Sequence, residues 1–326
     1  SGGHGNSDSD GRLLMFETTF DNVQVIEASG EKSYYTVQPD IYRRTLALVK
    51  IDARDCYVVD IFRVKGGGIH DWMLHGPLDV PYEMTLSDPM QPKEGVLHKY
   101  LQVQESLRTD QDVCFEITAS GGSRLRTFLM GEKETEVILA QAPAMRRMGL
   151  APFVDVRRPG PENVFVAVYE PVGPRETSRI HKVEFMSLGD DMAVGILVEL
   201  TDGTKDIIVS TMEDGSWTVR QIDEWGVSFA GRFAHARLRE DLVEWLSLPR
   251  GEFLAAGGAR VKGAQPFEGR ILSTTRTEAR DSADTLTADL ALPEGEELKN
   301  RALIMDMGGE LVQSINSIIM RMDVHG

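Results

Sequence analysis

The stretch Ile41–Gly76, IYRRTLALVKIDARDCYVVDIFRVKGGGIHDWMLHG, decides the fold. It reads as three strands in succession. Tyr42 to Val49 alternates, a polar turn spans Asp52–Asp55, and Cys56 to Val64 is dense in β-branched and aromatic residues. Gly66–Gly68 then reverse the chain into Ile69–His75. Such a meander, with one face on a core and the other wet, is an antiparallel pattern. Side chains alternate between faces along a strand, so His70, Trp72 and Leu74 share one face and His75 takes the other.

The pattern continues on both sides. Upstream, Arg12–Glu17 and Val23–Glu27 read as strands behind a Gly/Ser/Asp head. Downstream, Pro77 to Pro92 is proline-rich and reads as a crossing too long for a hairpin. His98–Glu105, Val113–Thr118, Leu125–Met130, Glu136–Ala140, Phe153–Val156 and Asn163–Glu170 follow as strand segments. His181–Leu188, Met192–Leu200, Lys205–Thr211 and Trp217–Ile222 repeat the pattern, with hairpin turn signals at Asp202-Gly203 and Asp214-Gly215. Glu240–Leu246 fits a short helix or a last strand, and no segment sustains a long helix. Short strands at this spacing predict an all-β chain. The expected organisation is a linker or cloning remnant over 1–11, a large antiparallel β-sandwich over 12–248, and a small β-module over 249–326. The boundary is placed where Pro249–Gly258 loosens the pattern. Three strand candidates lie beyond it, Gly269–Thr277, Thr285–Leu290 and Ala302–Asp306, and Leu311–Met322 fits a strand or a helix.

Charge narrows the function classes. The chain has 326 residues, 51 acidic and 35 basic, for a net charge of −16. That balance lacks the basic footprint of a nucleic-acid binder. It also repels an acidic polymer at long range unless arginines cluster locally. Cys56 and Cys114 do not make a disulfide framework; buried free thiols are expected, with a single bridge left open. No apolar run approaches the roughly 20 residues of a membrane helix, so no membrane partner is expected. The head SGGHGNSDSDG lacks the charged and apolar regions of a signal peptide and reads as a cut point inside a longer protein.

Several residue groups carry candidate chemistry. His70, Asp71 and His75 form H-D-x-x-x-H. On a helix such a pair can hold zinc, but on a strand the two histidines point to opposite faces, and no metal site is expected from them. Trp72 is a candidate sugar-stacking residue, with core packing as the commoner fate of a strand tryptophan. Arg43 and Arg44 face opposite sides of their strand; one is expected to pair with Asp60 or lie exposed, and the other to reach a carboxylate bidentately. His4, Asn6 and Asp8 lack the second histidine of an H-x-H-x-D motif and read as linker. Gly66–Gly68 has no following helix to present amides to a phosphate, and reads as a turn. Arg146-Arg147 and Arg157-Arg158 are the basic doublets in expected loops. The candidate substrate-binding residues are therefore Arg43, Arg44, His70, Trp72 and His75, with no catalytic or metal-binding residue assigned.

Some of these blocks carry a family resemblance. Tyr42–Thr45 (YRRT), Tyr57–Val64 (YVVDIFRV) and His70–Gly76 (HDWMLHG) resemble the C-terminal β-sandwich domain of heparinase II/III-type polysaccharide lyases. Phe165–Pro171 and Gly231–Arg237 add to it, in the expected order, over roughly 10–250. The resemblance implies a sandwich docked on an upstream α/α-toroid domain of the same protein, which in that family supplies the tyrosine and histidine for β-elimination. It implies an acidic, uronic-acid-containing polysaccharide as partner, a periplasmic or secreted location, and a metal ion such as zinc in the full-length enzyme. No cofactor is expected in this chain, because the family's Gly-His-x-His segment is not matched at His4. On this reading the chain supports and partly lines a glycan cleft and is inactive alone. The alternative is a stand-alone carbohydrate-binding or structural sandwich. A self-sufficient hydrolase ranks last, since nothing in the sequence pairs its carboxylates. A sandwich separated from its toroid is expected to expose an apolar patch and so to form a homodimer.

Overall fold

The computed structural model describes residues 11–34, 37–77, 79–144, 149–189, 192–263, 269–275, 285–289, 302–306 and 314–318. Its strands, numbered in chain order, form three large sheets in which all pairings are antiparallel. The central sheet has eight strands: β1 (Arg12–Glu17), β2 (Val23–Ser29), β3 (Ile41–Lys50), β4 (Cys56–Lys65), β6 (Tyr82–Leu86), β9 (Val113–Ala119), β10 (Arg124–Leu129) and β13 (Glu162–Val172). Their order is β1-β2-β3-β4-β13-β10-β9-β6. A five-stranded sheet is built from β5 (Ile69–His75), β7 (Gln91–Leu97), β8 (Leu101–Thr109), β11 (Thr135–Pro143) and β12 (Leu150–Pro159), in the order β5-β12-β11-β8-β7. The third sheet contains β14 (Ile180–Ser187), β15 (Val194–Leu200), β16 (Lys205–Ser210), β17 (Arg220–Ile222), β18 (Val227–Arg239), β19 (Leu242–Ala256) and β20 (Ala259–Lys262). Two separate hairpins follow, β21 (Ile271–Thr275) with β22 (Thr285–Ala288) and β23 (Ala302–Asp306) with β24 (Ser314–Ile318).

The central sheet is buried on both faces, which explains why β4 and β13 read as near-continuous apolar runs. Val59, Ile61, Val166 and Val168 point into a core shared with Ile196, Ile208 and Phe233 of the third sheet. Phe62, Val64, Phe165 and Ala167, the alternate residues, pack on Trp72, Val137, Val154 and Val156 of the five-stranded sheet. The all-β antiparallel sandwich is thus realised as three layers. In the third sheet the register of β18 against β19 shifts where Gly231 faces Gly251. A Cβ on Gly231 would lie 2.6 Å from the Gly251 Cα, so only glycine allows the approach. Phe229 and Leu254 pack with Leu197 and Ile207 in a further core.

Three expectations need correction. The crossing from Pro77 to Pro92 holds β6 and the start of β7, because Tyr82–Leu86 finds a free edge on β9. His98 does not start a strand: it sits with Lys99 in the turn between β7 and β8. β19 runs through the boundary placed at 248/249, pairing with β18 on both sides of it, so the third sheet extends to Lys262. Glu240–Leu246 is accordingly the turn and start of a strand rather than a helix. Both cysteines are free and half-buried. His4 and the Arg146-Arg147 doublet lie outside the described residues.

Candidate functional site

The five residues singled out from the sequence do not meet at one place. Arg44 makes the bidentate contact, and makes it with Asp60: Nε donates to Oδ1 at 2.8 Å and Nη2 to Oδ2 at 2.6 Å. Tyr169 donates to the same carboxylate at 3.0 Å. Arg43, on the opposite face of β3, stands 3.8 Å from Glu31. On β5 the alternation holds. Trp72 is 3% exposed, packed near Phe115 and Tyr169, and presents no ring to solvent. His70 is buried beside it, with Nε2 2.7 Å from the Gly66 carbonyl and Nδ1 2.8 Å from the Asn163 amide. His75 faces outward, its ring stacked near Phe153.

The outward face of the five-stranded sheet is where unassigned polar chemistry collects. Register places Asp71 opposite Arg157, Arg157 opposite Glu136, and Glu136 opposite Arg108. Four strands thus carry a row of alternating charge, a favourable cross-strand arrangement. Arg157 grips Asp71 bidentately at 2.7 and 3.0 Å, and Lys93 donates to Glu136 at 2.6 Å. The adjacent row carries a single charge: Met73, Asp155, Ile138 and Ser106 are successive register partners. Asp155 therefore has no basic neighbour across the strands. It is 0% exposed, and neither carboxylate oxygen has a hydrogen-bond partner. Burial, and then the charge of Asp71, push its carboxyl up to about 7, with Arg157 pulling the other way.

The turn between β7 and β8 folds over this face. Leu97 and Leu101 pack with Ala140, Ala142 and Phe153, which lowers His98 onto the charge row. His98 Nε2 comes within 3.0 Å of Asp71 Oδ2, 3.7 Å of Asp155 Oδ2 and 3.3 Å of Arg157 Nη2. The turn closes with the Tyr100 amide donating to the Leu97 carbonyl, and its two central residues, His98 and Lys99, have φ of +52° and +70°. A turn with both central φ positive favours Asn-Gly. Two non-glycine residues there cost about 1 kcal/mol each. Among the described residues, this is the place where three potential ligand atoms of His and Asp come within 4.8 Å of one another. Beside it lies a hollow of about 350 Å³, lined by His75, Tyr100, Phe153, Ala142, Ala151 and two prolines.

A second polar cluster bridges the central and third sheets. Asp206 accepts from Tyr57 at 2.8 Å, from His235 Nε2 at 2.9 Å, and from Arg237 at 2.7 and 2.8 Å. Asn22 lies 2.9 Å from His235 Nδ1 and accepts from Ser247 at 3.0 Å. Burial pushes Asp206 up, but its contacts with His235 and Arg237 more than offset this and hold it at about 2. Close by, Arg232 grips the buried Glu27 at 2.9 and 2.6 Å. Through these bonds the cluster joins β4, β16, β18 and β19, the arrangement of a structural bridge.

No family model matches the sequence, and no curated protein matches it. Among solved structures, the heparan sulfate lyase HepC from Pedobacter heparinus and a mutant of it are similar. Each is 12% identical with a TM-score of 0.41, over 63% of this chain and 28% of the lyase chain. The chain spans under a third of the length of those lyases.

Proposed function

We propose that this chain is the β-domain of a polysaccharide lyase resembling heparinase II/III, supporting and partly lining the cleft for a uronic-acid-containing glycan and inactive by itself. One observation carries the reading: the sequence blocks that bear the resemblance, far apart in the chain, assemble into one packed unit. Tyr42–Thr45, Tyr57–Val64 and Phe165–Pro171 lie on the neighbouring strands β3, β4 and β13. The bridge then ties Tyr57 to His235 and Arg237 of the fifth block through Asp206. The resemblance thus follows a packing unit rather than isolated motifs.

Two tyrosines of this unit, Tyr57 and Tyr169, suit a support role. β-Elimination needs a base with its pKa near the working pH. Burial, reinforced by Asp206 at Tyr57 and by Asp60 at Tyr169, pushes both phenols far above their usual range. Their hydroxyls are also committed as donors to those carboxylates. A partner domain would supply the base.

The hollow beside His75 favours a second reading, a stand-alone carbohydrate-binding module, because exposed Tyr100 and the Phe153 wall offer sugar-facing surface. One experiment separates the two. The chain is incubated with heparan sulfate and with alginate, the appearance of unsaturated uronate is followed by its absorbance, and retention on acidic and neutral glycans is measured in parallel. The lyase-domain reading expects retention of an acidic glycan without turnover. Retention of neutral glycans alone supports the second reading, and turnover by this chain contradicts both.

A further inference from the structure

We infer that Asp71, His98 and Asp155 form a binding site for one divalent transition-metal ion of the zinc class, on the outward face of the five-stranded sheet. The inference is independent of the lyase reading, and the site uses no residue of the Gly/Ser-rich head. Its first support is Asp155, fully buried and without a hydrogen-bond partner on either oxygen. A buried carboxylate left unpaired costs free energy that folding does not recover unless a cation or donor meets it.

The second support is distance. Zinc bonds to nitrogen and carboxylate oxygen at about 2.0–2.1 Å, so tetrahedral ligand atoms stand roughly 3.3 Å apart. The imidazole Nε2 lies 3.0 Å from Asp71 Oδ2 and 3.7 Å from Asp155 Oδ2, on either side of that value. Small rotations of two carboxylates would bring all three atoms to one centre.

The third support is an inconsistency around Nε2 that a single proton does not resolve. Arg157 Nη2, a donor, faces it at 3.3 Å and requires a lone pair there. The two carboxylates face the same nitrogen and require a proton. A cation accepts electron pairs from the imidazole and both carboxylates together, while Arg157 holds both oxygens of Asp71 and so orients Oδ2, which keeps a further lone pair to offer. One imidazole and two carboxylates suit zinc, with manganese as the softer-ligand-poor alternative. The left-handed turn at His98 and Lys99 fits the same purpose, since it is what sets the imidazole over the two acids.

The test is calorimetric titration of the chelator-stripped full chain with ZnCl2, with MnCl2 in a parallel arm, on the parent and on His98→Ala and Asp155→Asn. Unfolding midpoints are recorded with and without metal. The expected result is one equivalent of Zn2+ bound by the parent with a raised midpoint, and affinity lower by about 100-fold or more in each variant. Asp155→Asn removes a buried charge that no hydrogen bond meets and so should fold at least as well as the parent without metal, which keeps the test decisive if His98→Ala folds poorly. Absence of stoichiometric binding by the parent overturns the inference. So does binding that Asp155→Asn leaves unchanged, which would place the ion at other histidines.

Discussion

The two polar clusters of this molecule use similar residues and differ in how completely they are satisfied. Between the central and third sheets, Asp206 is surrounded by Tyr57, His235 and Arg237, and its carboxyl is held near 2. On the outward face of the five-stranded sheet, Asp155 is equally buried, meets no donor, and is pushed to about 7. Both contain a histidine, an arginine and aspartate. The difference teaches that burial alone does not distinguish a structural aspartate from a ligand; the count of donors aimed at it does.

The satisfied cluster should fail in acid. Asp206 has a folded pKa of about 2, below the ordinary carboxylate value near 3.9. A depressed carboxyl contributes stability that is full above its unfolded value and is lost as pH falls through its folded value. The contribution, about 2 kcal/mol, should therefore disappear between about pH 4 and pH 2. Urea unfolding at steps across that window checks it, and Asp206→Asn should flatten the profile. A profile equally steep in the variant would assign the acid sensitivity elsewhere.

The unsatisfied cluster should yield a smaller effect of the opposite sign. Lys99 is exposed with a φ of +70°, and glycine there removes the left-handed cost while leaving His98 in place. Lys99→Gly should raise stability by about 0.5–1 kcal/mol, less than the full penalty because glycine also loosens the unfolded chain. Metal affinity should be unchanged. A loss of stability would mean that the Lys99 side chain, rather than the need to position His98, holds the turn.

Much of the fold was legible in the sequence. The strands of the opening meander fall where alternation and the Gly66–Gly68 turn place them, because that signal is local. The alternation also correctly separated His70 and Trp72 from His75. What escaped was set by tertiary pairing. Tyr82–Leu86 sits among prolines and becomes a strand because the β9 edge accepts it. The loosened pattern at Pro249–Gly258 falls inside β19, where its register against β18 shifts and Gly251 meets Gly231. The outer cluster was half visible: Asp71 belongs to the H-D-x-x-x-H motif. Its partners His98 and Asp155 are supplied by a turn and a neighbouring strand that only register brings together.

The most direct measurement applies one substitution to both clusters. Asp206→Asn and Asp155→Asn are unfolded in urea at pH 8 with chelator present, alongside the parent. The account expects Asp206→Asn to lose about 3 kcal/mol, because Arg237 is left buried without its counter-charge. Asp155→Asn should be neutral or more stable than the parent, because no hydrogen-bond donor meets the carboxylate removed there. Two losses of similar size would contradict it, and would make the outer cluster a second structural bridge.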